Sequence, residues 1–199
     1  MVVVAQLAER LIVVQDVTGS NPVNYPILGD DMKVGWSRKY EYSGGASKTY
    51  AVIFDIDQVL ADIDHRLHFI TDQWPQDWDR FMAEAHKDRP IPQLIRLAKI
   101  MDAKDFRIFF VTGRKEIERQ QTIDWLDEYL ELGKSYIDDH LFMRRTDDVR
   151  EDHVIKKEVF ERNIKREYRI LFVIEDRKSC VEMWRNEGLL CLQNEWGDF

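Results

Sequence analysis

From Thr49 onward, short apolar runs alternate with stretches in which apolar residues recur every three or four positions, the pattern of strands interleaved with helices. The first run, Ala51-Val52-Ile53-Phe54, leads directly into Asp55-Ile56-Asp57-Gln58-Val59-Leu60. Further strands are expected over residues 107–111, 140–144, 169–174 and 189–192. Between them Ile91, Leu94, Ile95 and Ala98 share one helical face, Ile123, Leu126 and Leu130 a second, and Val181 with Trp184 a third; Gly188 supplies a stop for the last helix. Continuously apolar strands alternating with helices predict an α/β fold, a parallel sheet covered by helices on both faces. Residues 77–87 read as an extra helix inserted between the first strand and the first crossover.

The start of the chain breaks this pattern. Residues 1–23 resemble a transfer-RNA gene read as protein, with Gly19-Ser20-Asn21-Pro22 matching a translated T-arm, which makes residues 1–31 a candidate mis-assigned start and Met32 an internal one. The other reading is an amphipathic helix followed by an Asn-Pro turn. Residues 32–48 are polar and read as a lead-in, so residues 1–48 are treated as an N-terminal extension. Gly44-Gly45-Ala46-Ser47-Lys48-Thr49 is not a P-loop: Ser47 stands where glycine should precede the lysine, and the segment leads into a strand.

Composition narrows the class. With 199 residues, 44% of them hydrophobic, the chain can bury one sizeable core and not two. A formal charge of −8 argues against coating nucleic acid through a broad basic face. Local clusters at Arg144-Arg145 and over residues 162–166 read equally as solvated faces or contact surfaces. Cys180 and Cys191 fall in a core helix and a core strand, as reduced buried thiols do. With no apolar run of membrane length and no basic flank at the N-terminus, a cytoplasmic protein is expected.

The candidate chemistry lies at the carboxyl ends of the strands, where open α/β sheets carry their sites. Asp55 and Asp57 close the first strand, either as an ordinary turn or as two carboxylates dividing nucleophile and proton carrier between them. Thr112-Gly113-Arg114 closes the second, ahead of a polar helix expected from Lys115, whose N-terminus with Arg114 would suit a phosphate. Glu175-Asp176 closes the fourth, as ligands for a hard cation such as Mg²⁺ or, for Asp176, as a helix cap. Asp152 and Lys156 stand four apart on a helix, as a surface ion pair or as a lysine held to neutralise a phosphoryl group. Trp74, Trp78 and Phe81 suit either base stacking or packing of the inserted helix, packing being the expected use of Trp78 and Phe81.

In order and placement these segments resemble the haloacid dehalogenase superfamily of phosphohydrolases. The matching residues are Asp55-Ile56-Asp57-Gln58-Val59, Thr112, Lys156 and Glu175-Asp176. That resemblance implies a Rossmann-like three-layer sandwich over residues 49–199, a five-stranded parallel sheet in spatial order 3-2-1-4-5, and a small helical insert over about 67–90 that selects substrate. Arg66, Thr112-Gly113-Arg114, residues 150–160 and 174–185, and Gly197-Asp198-Phe199 are further similar to the phosphatase domain of bacteriophage polynucleotide kinase/3′-phosphatases. The resemblance implies Asp55 as nucleophile and Asp57 as general acid and base. Lys156 would neutralise charge, with Asp152 orienting it, and Arg66 and Arg114 would serve the phosphate pocket. Mg²⁺ would be held by Asp55, Asp176 and Asp57 through its carbonyl, with Glu175 beside them. The implied substrate is a 3′-phosphorylated DNA or RNA end, with a separate kinase or ligase in the same pathway. A nucleotidase and a non-catalytic end-binding module are the alternatives. Two departures stand out: Gln58 occupies a family glycine position, and Glu175 a family aspartate position.

Overall fold

A computed structural model describes residues 49–72 and 74–197. The expectations about residues 1–48, the rejected loop at 44–48 and the terminal Asp198-Phe199 lie outside the described residues.

The sheet is built from β1 (Thr49–Phe54), β4 (Arg107–Lys115), β5 (Leu141–Arg144), β6 (Tyr168–Arg177) and β7 (Cys191–Gly197). They lie in the order β5-β4-β1-β6-β7, every neighbouring pair parallel. Counted along the chain this is the expected 3-2-1-4-5. Ala51 to Phe54 are all buried, as a central strand covered on both faces must be. Ala51 and Ile53 face one core with Phe109, Val111, Ile170 and Val173. Helix α6 (Asp152–Val159), its π-helical extension Phe160–Ile164, and α7 (Lys178–Asn186) lie around that core, with Phe160, Ile164, Val181 and Trp184 packed into it. Phe54 alternates to the other face, where its ring meets Phe172 edge-on at 6.4 Å.

The remaining crossover helices are α3 (Pro92–Ala103), α4 (Arg119–Leu130) and α5 (Lys134–His140). Helices α3 and α4 bury the expected faces, Leu94, Ile95 and Ala98 on one and Ile123, Leu126 and Leu130 on the other. Gly188 follows the last helix with φ of 82°, a left-handed turn that suits glycine. No helix among the described residues is long and apolar enough to cross a membrane.

Three expectations change. Strands β4 and β6 run on to Lys115 and Arg177, so Thr112-Gly113-Arg114 and Glu175-Asp176 sit within the sheet. The helix expected at Lys115 begins only at Arg119, after a 3-10 turn over Glu116–Glu118, so no helix N-terminus stands at Thr112-Gly113-Arg114. Strand β7 starts at Cys191, two residues later than expected. The insert is also richer than a single helix. It holds α1 (Asp64–Thr71), α2 (Trp78–Ala83) and a 3-10 turn (Ala85–Lys87), closed by an antiparallel pair of β2 (Ala61–Asp62) with β3 (Arg89–Pro90). Two-residue strands leave too little alternation to read from sequence.

Candidate active site

The turn after β1 is tied down by its own backbone. Asp55 N donates to Ile174 O at 3.0 Å, carrying the β1–β6 pairing up to the acid. Ile56 O then accepts from the amides of Val59, Leu60 and Ala61. Gln58 adopts φ of 55°, the conformation that glycine takes without steric cost. Its carbonyl accepts from Asn194 Nδ2 at 2.6 Å and its amide side chain donates to Asp64 Oδ1 at 2.8 Å, so contacts on both sides hold the strained residue in place.

Around Asp55 three carboxylates converge on one amine. Lys156 Nζ lies 3.0 Å from Asp55 Oδ1, 2.8 Å from Glu175 Oε2 and 3.5 Å from Asp152 Oδ2, and is itself buried. Burial works against its charge, but Asp55, Glu175 and Asp152 outweigh it and raise its pKa, so the ammonium persists. The pKa of Asp55 is also raised, which for a carboxyl favours the neutral form: burial lifts it well above the carboxylate range against the pull of Lys156, with Glu175, Asp152 and Asp57 adding repulsion. Glu175, one methylene longer than aspartate, reaches Lys156 with Oε2. Its Oε1 accepts from the amides of Asp176 and Arg177 at 3.2 and 3.3 Å.

The same acids suit a cation. Asp55, Glu175 and Asp176 each offer a carboxylate oxygen within 4.8 Å of the others. Asp55 Oδ1 is buried with no hydrogen-bond donor aligned on it, Lys156 being close but off the hydrogen-bonding direction. Burial first, then repulsion from Asp55, lifts Asp176 to about 6, and burial lifts Glu175 to about 7. An unsatisfied buried oxygen amid hard oxygen donors fits a divalent ion of the Mg²⁺ kind. Asp176 does not cap α7: the residue before that helix is Arg177, and no side chain caps it.

A second cluster surrounds Asp57. Arg66 Nη2 and Arg114 Nη2 each donate to Asp57 Oδ1 at 2.6 Å. Both guanidinium groups also bind Asp88, Arg66 through Nε and Nη2 at 2.6 and 2.7 Å and Arg114 through Nη2 at 2.8 Å. Burial opposes ionisation of Asp57, but Arg114 and then Arg66 prevail and hold its pKa well below the carboxylate range. Asp57 therefore stands apart from the cation-ready group, its side chain spent on two arginines. Arg66 is wedged further by Phe81, whose ring lies 4.0 Å below the guanidinium and whose carbonyl accepts from Nη1 at 3.2 Å.

The catalytic, phosphate and metal candidates read from sequence thus gather around two adjoining clusters, one at Lys156 and one at Asp57. Gly113 has a more specific reason than loop flexibility: a side-chain carbon there would lie 2.6 Å from Asp152 Oδ1. Thr112 is buried and its hydroxyl accepts from Arg114 N at 3.2 Å. Two residues escaped the sequence reading. Asp88 anchors both arginines, yet it sits in a Pro-rich stretch with no periodic signal. Arg144, read as part of a surface cluster, instead donates to Gly113 O, Arg150 O and Asp152 Oδ1 at 3.1, 2.6 and 3.2 Å. Its alternation with buried Leu141 and Met143 along β5 gave no hint of that span. Of the insert aromatics, Phe81 is buried as expected, while Trp78 is 41% and Trp74 88% exposed, so Trp78 packs only its edge.

A five-stranded parallel sheet in this order, with acids at the ends of two central strands, is the architecture of haloacid dehalogenase-type (HAD) phosphatases. The class C acid phosphatase of Bacillus anthracis shares the fold at a TM-score of 0.59 and 16% identity, over 78% of this chain and 70% of that one. A sequence profile described as the polynucleotide kinase PNKP phosphatase domain matches residues 49–199, and the chain belongs to that family of HAD-type phosphatases. A chain in the structure of the Pnkp1/Rnl/Hen1 RNA repair complex is similar at a TM-score of 0.66 and 28% identity, covering 82% of this chain and 48% of that one. A protein of Autographa californica nuclear polyhedrosis virus, described as a bifunctional polynucleotide kinase/RNA ligase, is 32% identical over 142 residues. That match takes in 71% of this chain and 20% of the viral protein, so the chain spans only a fraction of the relatives it matches.

Proposed function

We propose that this chain is a Mg²⁺-dependent polynucleotide 3′-phosphatase that acts on the ends of DNA or RNA during repair, alongside a kinase or ligase. Its family and its likeness to parts of nucleic-acid repair proteins support the substrate class. The observation that carries the chemistry is the placement of buried Asp55, one oxygen without a hydrogen bond, 3.0 Å from a buried lysine.

In the proposed reaction an oxygen of Asp55 attacks phosphorus in line as the bond to the 3′-oxygen breaks, giving an aspartyl-phosphate and a 3′-hydroxyl. Asp57 gives the leaving oxygen its proton, then takes one from the water that hydrolyses the acyl phosphate and releases inorganic phosphate. The two arginines fix the order of events. While they lie on Asp57 its carboxyl holds no proton; a phosphate dianion competes for the same guanidinium groups, and as they turn toward it Asp57 becomes basic enough to carry one. Lys156 offsets the repulsion between the anionic nucleophile and the anionic phosphate, with Asp152 and Glu175 holding the ammonium in line. Asp55, Asp176 and the carbonyl of Asp57 would hold Mg²⁺, with Glu175 behind them, and the ion would supply further charge neutralisation on the phosphoryl oxygens.

Rates on a 3′-phosphorylated oligonucleotide, a 3′-mononucleotide and a 5′-mononucleotide, with and without chelator, test this reading. It requires the oligonucleotide to have the highest kcat/KM and chelation to abolish turnover. A preference for mononucleotides makes the chain a nucleotidase instead, in keeping with its net charge of −8.

A further inference from the structure

The insert carries an exposed aromatic surface that the chemistry leaves unused. Trp74, Pro75, Gln76, Asp77, Trp78 and Asp79 line an open groove of about 450 Å³. Trp74 is 88% exposed and Trp78 41%. Two exposed indoles lining one groove are the kind of surface that marks a binding site.

The groove is built and connected. Trp78 Nε1 donates to Gln76 Oε1 at 3.2 Å, and Gln76 Nε2 donates to Ile70 O at 2.9 Å, which fixes the floor to α1. The ring of Trp78 meets Phe81 edge-on at 5.6 Å, Phe81 lies 4.0 Å beneath the Arg66 guanidinium, and Arg66 lies 2.6 Å from Asp57. The Trp78 ring therefore lies within about 14 Å of Asp57 in a straight line, the span of about four stacked nucleotides at roughly 3.4 Å each.

Its chemistry selects a base over a phosphate. Asp77, whose Oδ1 caps α2 by accepting from Arg80 N, and Asp79 would repel a phosphodiester, whereas an Asp79 carboxylate oxygen can accept from the amino and imino groups of bases, and every base offers a face to an indole. Arg89, which directly follows the arginine-binding Asp88, is exposed. We infer that the Trp74–Trp78 groove is a nucleobase-stacking subsite, taking an unpaired base a few nucleotides upstream of the 3′-phosphate. The subsite rests on the polynucleotide reading above and adds to it a minimum substrate length.

The test is the KM of a 3′-phosphorylated hexanucleotide against that of a dinucleotide too short to reach the groove. In the wild type the hexanucleotide should bind better. Trp74→Ala and Trp78→Ala should each raise its KM about five- to hundredfold, the usual worth of one stacked base, and so erase the advantage of length. Trp74→Phe and Trp78→Phe should restore much of it, since a smaller ring still stacks. Trp74 is the cleaner site because Trp78 also packs on Phe81; a loosened fold would move both substrates alike and leave their ratio unchanged. If the wild type prefers the hexanucleotide and the alanine variants keep that preference, the strand runs elsewhere and the groove is left to a protein partner, which overturns the inference. If the wild type shows no dependence on length even against a mononucleotide, the polynucleotide reading fails and the subsite with it.

Discussion

Gly113 and Asp152 touch so closely that a side-chain carbon on the first would stand 2.6 Å from Oδ1 of the second. The glycine lets α6 press its first turn against β4, and that approach sets Asp152 beside Lys156 and within reach of Arg144. Gly113→Ala should force Asp152 aside and misplace the ammonium. The expected result is a fall in kcat of tenfold or more with a stability loss of about 1–3 kcal/mol, as for other overpacked sites. Steady-state rates with a denaturant melt check both, and a variant of wild-type kcat would remove this role for the pair.

Gln58 tests the other close constraint. At φ of 55° an L-residue carries about 1–2 kcal/mol of strain that glycine does not. Gln58→Ala loses the hydrogen bond to Asp64 and keeps the strain; Gln58→Gly loses the same bond and sheds it. Greater freedom of the unfolded glycine chain takes back about 0.4–1 kcal/mol. The glycine variant should therefore be the more stable of the two by roughly 0.5–1 kcal/mol, as read from urea midpoints. Equal midpoints would mean that the turn relaxes around either side chain.

Arg144 should prove structural to the site even though it touches no reacting atom. Replacing it with alanine takes a donor from Asp152 and from three carbonyls at once, and a loss of about 2 kcal/mol together with lower kcat is expected. Lysine should not restore either, because one ammonium cannot span contacts that a planar fork reaches. Thermal melts and rates of the alanine and lysine variants decide the matter; full rescue by lysine would show that charge alone suffices.

Protons and the cation compete for the same oxygens. Glu175 and Asp176 are raised to about 7 and about 6 in the folded chain, so both hold protons more tightly there than when unfolded. Without metal, their contribution to stability is present below the ordinary carboxylate range and is lost as pH rises through 6 to 7. A bound divalent ion needs the ionised forms, so its stabilisation grows over the same window. The rise in Tm on adding Mg²⁺ should be small at pH 5 and full at pH 8, and adding chelator should reverse it. An identical rise at both pH values would place the ion elsewhere.

The sheet was legible from sequence because its strands are apolar on both faces, as in Ala51 to Phe54, and because the helices between them keep their period. Their ends were not. Thr112 to Lys115 and Glu175 to Arg177 are polar, and polar residues end a periodic signal even where the strand continues. In the site, Asp55, Asp57, Lys156 and Asp176 were legible through order and spacing. Asp88 and Arg144 were not: Asp88 acts through Arg66, 22 residues away, and Arg144 ties its near neighbours Arg150 and Asp152 to Gly113, 31 residues away. The tiny β2–β3 pair and the exposure of Trp78 depend on how the insert folds back, which no local pattern records.

The most direct test of the account is phosphate release from a 3′-phosphorylated oligonucleotide in Mg²⁺ by the wild type and by Asp55→Asn. Burial makes the charge of Asp55 costly, so the asparagine variant should fold with an undiminished Tm. It should release no phosphate above background, because an amide cannot form the acyl phosphate. Turnover by a folded Asp55→Asn protein at a rate comparable to wild type would contradict nucleophilic attack by Asp55.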